Sequence, residues 1–256
     1  MRFVRTGVIA LALVASAGVA AAAEVRVLSV GSTSTAAKAI AEAFTNTTGH
    51  QVTFTIRPPF NIDEELKSKT FDAIILAVPA MDIHDKAGNI APGSRVPLAR
   101  VGVGVAVKTG ASAPDVSTPE KFKAALLAAK SLTHSDPALA NTSGAIAATA
   151  IAKLGITDAV TPKTRYAALA VAGKLVADGE AEMGFFNVSE FPPGTTLAGT
   201  LPGPLQQHTV YEAAVLAKGS KDDAATAFVK LLGSSGSAWQ AAKLEPAASY
   251  LPALTR

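Results

Sequence analysis

Apolar and polar positions along the chain switch period repeatedly, and the switches mark out its elements. VRVLSV at Val25–Val30 is a short apolar strand pattern that stops at Gly31 and passes through Ser32, Thr33, Ser34 and Thr35. From there Ala36, Ala37, Ile40, Ala41, Phe44 and Thr48 recur at helical spacing, with Lys38, Glu42 and Asn46 elsewhere on the wheel, which predicts a helix over 34–48. A strand pattern over 51–56, a short helix from about Asp63 and a strand over 72–78 follow. This alternation predicts parallel βαβ units and an α/β fold.

RVGVGVAV at Arg100–Val107 is β-branched at every second position with glycine or alanine between, a strand with one bulky and one bare face that suits close approach of another backbone. After the break at Thr109–Ser117 a second α/β series begins. Thr118 with Pro119 is a helix start that buries Phe122, Ala125, Leu126 and Ala129. A strand over 131–135, a helix over 142–153, a short strand over 164–166, a helix over 169–178 and a strand over 183–186 come next. A proline-rich passage over 191–204 leads to a strand over 209–217 and a helix over 221–232, stopped by Gly233. The chain thus leaves one α/β series, builds another and returns. Two lobes follow, 24–105 with 209–256 and 106–208, joined by two hinge strands with a cleft between them. The loops after Val30, Ile56, His134 and Phe186 would face that cleft, at the carboxyl ends of strands.

Met1–Ala23 carries Arg2 and Arg5, an apolar run over 7–19 and a small-residue end, the pattern of a cleavable export signal. Removing it takes the formal charge from +3 to +1, which does not suit nucleic-acid binding. The chain has no cysteine, so disulfides, thiolate metal sites, a cysteine nucleophile and a lipid-attachment cysteine are all excluded. With aromatics at 5%, recognition of sugars or stacked bases is disfavoured. A periplasmic, monomeric protein without a lipid anchor, metal or cofactor is the expectation.

Gly31–Thr35 and Asn141-Thr142-Ser143-Gly144, the latter following Ser135-Asp136-Pro137, present hydroxyls and free N–H groups at helix starts, one on each expected lobe. Such ends hold anions. The chain resembles the periplasmic substrate-binding proteins of ABC importers of the molybdate-binding type. The resemblance runs over about residues 24–247. It is carried by VLSVGSTSTAAKAIAEAFTNTTGHQVTF, FDAIILAVPAMD, SRVPLARVGVGVAVKTG, SLTHSDPALANTSG, LVADGEAEMGFFNVSE and AFVKLLGSSGSAWQAAKLEP. It implies the type II two-lobed fold and a small anion held by hydroxyls and N–H groups, passed transiently to an inner-membrane permease. By position it implies ligand contacts from Ser32 and Thr33, from Ser143 with its neighbours Thr142, Asn141 and Ser135, from the N–H of Ala170 or Val171, and from Asn187, which stands where molybdate binders place a tyrosine.

The second loop departs from the family pattern. Arg57-Pro58-Pro59-Phe60 replaces a hydroxyl-rich turn, and prolines have no N–H to offer. Arg57 could meet an anion through its planar fork, or face solvent. Phe60 is a cleft wall or a lobe-surface packing residue. On donor count, an organic carboxylate or phosphorylated metabolite is favoured over molybdate, sulfate or phosphate. His134 beside Ser135 offers either a ligand contact or a structural imidazole. A hydrolase using that pair, or a sensor feeding a receptor, are the alternatives to transport.

Overall fold

In the computed structural model the described residues are 22–139, 141–219 and 223–251. Most of the predicted export segment, and the start of the helix expected from residue 221, lie outside them. The strands are β1 (Glu24–Ser29), β2 (Gln51–Ile56), β3 (Ala73–Ala77), β4 (Val96–Val101), β5 (Val103–Lys108), β6 (Leu132–Ser135), β7 (Thr164–Ala167), β8 (Met183–Asn187), β9 (Thr195–Thr200), β10 (Thr209–Val215) and β11 (Glu245–Pro246). The helices are α1 (Ser34–Thr48), α2 (Ile62–Ser68), α3 (Val78–Lys86), α4 (Pro119–Ala128), α5 (Thr142–Lys153), α6 (Thr157–Val160), α7 (Leu169–Asp178), α8 (Asp223–Ser234) and α9 (Gly236–Ala241).

Two mixed sheets flanked by helices share one plan. The first runs β11-β4-β10-β3-β1-β2 and the second β7-β6-β8-β5-β9. In each, three parallel strands come from βαβ units, and the fourth is antiparallel and arrives from the other side of the crossover: β10 against β3, β5 against β8. The first core gathers Leu28, Ile74, Ile75, Phe44, Phe228 and Trp239; the second gathers Phe122, Leu126, Leu132, Phe185 and Ile151. Trp239, the single tryptophan, is fully buried and donates its indole N–H to the Leu232 carbonyl at 2.8 Å.

Local signals explain the helix ends. α1 stops at Gly49 and α7 at Gly179, both left-handed, with φ of 76° and 83°. α4 starts on Thr118, whose hydroxyl accepts from the Lys121 N–H, with Pro119 at the first helical position. Three expectations need correction. The Arg100–Val107 pattern is two strands, because sheet membership changes at Gly102. Gln206 reaches back there, its side-chain amide accepting from the Val103 N–H at 3.1 Å and donating to the Val103 carbonyl at 3.0 Å. Gly233 lies inside α8 and leaves room for Val96 rather than ending the helix. The proline-rich passage contains β9, an edge strand pairing with β5, and edges are where proline neighbours are tolerated.

Candidate functional site

The starts of α1, α2, α3, α5 and α7 all open onto one cleft of about 620 Å³ between the sheets. Their donor capacity differs by lobe. On the first lobe Pro58 and Pro59 precede α2 and Pro79 lies in the first turn of α3, so N–H groups are missing where Pro59, Phe60, Ile62, Pro79, Ala80 and Ile83 form an apolar wall. Phe60 is therefore a cleft wall, and it is 53% exposed. On the second lobe α5 and α7 start without proline, at Asn141-Thr142 and Ala168-Leu169-Ala170. The Asn141 side chain caps α5 by accepting from the Ser143 N–H at 3.1 Å.

Gly144 lets α5 begin so close to β6. A Cβ there would lie 2.1 Å from the Ser135 carbonyl oxygen. The helix start and the strand end therefore meet backbone to backbone, and Ser135, Asn141 and Thr142 line the cleft together.

The floor is a hydrogen-bonded cluster. The Ser32 hydroxyl donates to Glu190 Oε2, and Asn187 Nδ2 donates to both Ser32 Oγ at 3.0 Å and Glu190 Oε2 at 3.1 Å. Burial raises the Glu190 pKa, against the opposing effect of these two donors. Tyr211, buried in β10, sets its hydroxyl against those of Ser32 and Thr142; burial first, then the Glu190 charge, push its pKa up. Among the described residues, Ser135 Oγ and Asn187 Oδ1 are buried polar atoms without a partner, and both residues line the cleft. Such groups are normally satisfied in native proteins.

At the rim, Arg57 donates through Nε to Glu65 and through Nη1 to the Ile56 carbonyl at 3.0 Å. Glu65 in turn meets Lys69 at 3.2 Å, and its pKa is lowered chiefly by the Arg57 hydrogen bond. His84 and Asp63 line the same side, 3.5 Å apart.

Of the residues expected from sequence, Gly31, Ser32, Arg57, Pro59, Phe60, Ser135, Asn141, Thr142, Ala170 and Asn187 line the cleft. Four do not. Thr33 is fully buried, its hydroxyl on Ser29 Oγ and the Val30 carbonyl. Ser143 is buried with its hydroxyl on Asn141 Oδ1. Val171 points out of the helix start, 51% exposed. His134 lies on the opposite strand face to Ser135, its ring against Tyr166 and Phe185 and its Nδ1 donating to the Ser135 carbonyl at 2.8 Å. Burial lowers its pKa, and among the described residues the Ser135 hydroxyl has no hydrogen-bonded base to activate it. Among the described residues no group of His, Asp and Glu is placed to hold a metal. Glu190 and Tyr211 were not foreseen. The signal available was a carboxylate three residues after Asn187, ahead of Phe191-Pro192-Pro193.

Because the Glu190 pKa is raised, its proton is held more tightly folded than unfolded. Its contribution to stability is therefore present below the ordinary glutamate pKa and lost as pH rises through the native value. Glu190→Gln should gain stability relative to the parent as the pH of the melt is raised from 5 to 8. A difference between the two melting curves that does not change with pH would count against this.

Residues 25–240 match the family model for the bacterial extracellular solute-binding protein. An aconitate isomerase from a Pseudomonas species is 30% identical over 221 residues, covering 83% of each chain. The molybdate-binding protein ModA of Azotobacter vinelandii is 31% identical over 234 residues, covering 88% of this chain and 90% of its own. The solved structure of the A. vinelandii periplasmic molybdate-binding protein superposes with a TM-score of 0.70 at 17% identity, over 86% of this chain and 98% of that one. The fold is that of the two-lobed periplasmic binding proteins, and the chain belongs to the bacterial extracellular solute-binding family of the ModA type.

Proposed function

We propose that the protein is exported through its N-terminal signal, captures a small organic anion in the interlobe cleft and hands it to an ABC permease. The observation that carries this reading is the asymmetry of the cleft. Donors sit on the second lobe at the starts of α5 and α7, whereas the first lobe offers prolines and an apolar wall at α2 and α3, and the Ser32 hydroxyl at α1 is already given to Glu190. A tetrahedral oxyanion wants donors on every side. A carboxylate on a hydrocarbon body wants them at one end, with apolar surface around the rest. In this reading the carboxylate meets Thr142, Ser135 and Ala170, with Arg57 at the rim, and the hydrocarbon lies along Phe60, Pro79 and Ile83.

A specific observation favours a second reading. Glu190, a carboxyl of raised pKa facing a cleft, is the type of group that moves protons between carbons. The similarity to an aconitate isomerase supports it. One experiment addresses both. The protein is melted with molybdate, tungstate, sulfate, phosphate, citrate, malate, lactate, benzoate and cis- and trans-aconitate, and the aconitate mixtures are followed by NMR. A ligand at 100 times its dissociation constant stabilises by about 2.7 kcal/mol. We expect an organic acid to give the largest shift. A dominant molybdate response would overturn the organic-anion reading, and interconversion of the aconitates would establish the isomerase.

A further inference from the structure

In an oxyanion site at the start of α1, the Ser32 hydroxyl, a side-chain donor at position 187 and the N–H groups behind Gly31 would converge on the bound anion. Here the two side-chain donors are already engaged. A serine hydroxyl has one hydrogen, and that of Ser32 goes to Glu190 Oε2. Asn187 Nδ2 has two, and they go to Ser32 Oγ and to the same Glu190 oxygen. The other carboxyl oxygen lies directly over Gly31, where a Cβ would be 2.4 Å from Oε1. The carboxyl thus rests on the turn that opens α1, with a glycine beneath it that makes room.

We propose that Glu190 is a built-in occupant: its carboxyl fills the seat that an inorganic oxyanion would take, and it is the residue that turns this cleft away from molybdate and sulfate. This rests on the reading of the cleft as an organic-anion site and deepens it, because it says why the inorganic anions are refused. Either protonation state fills the seat. The ionised form adds repulsion against a dianion. Asp63 lines the cavity with the same sign, whereas Arg57 and His84 sit towards the rim and the α3 wall. Tyr211 closes the cluster beside Ser32. The organic anion then binds next to Glu190, in the part of the cleft lined by Ser135, Thr142 and Ala170.

The parent, Glu190→Ala and Glu190→Gln are titrated calorimetrically with sodium molybdate and sodium sulfate at pH 8, after far-ultraviolet dichroism shows which variants are folded. Removing the carboxyl releases the Ser32 and Asn187 donors, so Glu190→Ala should bind molybdate at least tenfold more tightly than the parent. Glu190→Gln keeps the volume without the charge and should gain less. Equal molybdate affinity in the parent and the folded variants, whether tight or undetectable, overturns the assignment. So does submicromolar molybdate binding by the parent, which can be read even if neither variant folds. The outcome stands apart from the function proposed above. A parent that binds a carboxylate while its variants gain no oxyanion sinks only the seat. A variant that gains molybdate while the parent ignores every organic acid sinks only the organic-anion reading.

Discussion

Replacing Gly144 by alanine should destabilise the protein by about 2 kcal/mol and also weaken ligand binding. An exposed helical glycine would gain about 1 kcal/mol from the same change, because alanine is the better helix former. Here the added methyl would lie 2.1 Å from a backbone carbonyl oxygen and 2.9 Å from its carbon, neither of which can rotate away. Overpacking against such a wall costs about 1–3 kcal/mol or more and outweighs the propensity gain. The remaining way out is for α5 to back away from β6. That moves Asn141 and Thr142 off the cleft, so affinity falls with stability. For a chain of this size the melt should drop by roughly 4–8 °C. Dichroism melts and calorimetry with the best organic acid would check both halves. A melting point within about 2 °C of the parent would show that the helix start has slack that its geometry conceals.

Arg57→Ala should cost about 2 kcal/mol of affinity for an organic acid, some thirtyfold, while changing the fold little. The guanidinium is held in place by Glu65 and the Ile56 carbonyl, so little ordering remains to be done when an anion arrives. Glu65 keeps Lys69 when Arg57 is gone, and partly exposed pairs of this kind contribute about 0–1 kcal/mol to stability. Arg57→Lys restores charge without the planar fork and should recover part of the loss. Arg57→Ala should bind with weaker salt dependence than the parent, whereas Arg57→Lys, still charged, should keep it. Undiminished binding by Arg57→Ala would leave the guanidinium as a brace for the α2 loop and nothing more.

What could be read from the sequence was what local chemistry decides. α1 and α7 lie where the sequence places helices, over 34–48 and 169–178, and the missing donors at Pro58 and Pro59 follow from proline whatever surrounds it. What could not be read depends on partners far along the chain. The alternation of RVGVGVAV runs unbroken through Gly102, so only the competing pairings of β10 and β8 divide it between two sheets. Thr33 and Ser143 are hydroxyl residues at the right helix starts, and a rotation of one position decides that Ser32 and Thr142 face the cleft instead. Glu190 and Tyr211 reach Ser32 from positions 158 and 179 residues later in the sequence, and no local pattern marks such a meeting.

The place of β10 between β3 and β4 has a consequence for synthesis. The second sheet draws all its strands from one stretch, 103–200, and can close as soon as that stretch is available. The first sheet begins earlier in the chain but has an open slot at its centre until residue 215 arrives, more than a hundred residues after β4. Long-range pairings of this kind are slow because loop closure comes before its reward. The half that is made first is therefore the half that finishes last, and a nascent chain carries an unclosed first sheet all the while the second is being made.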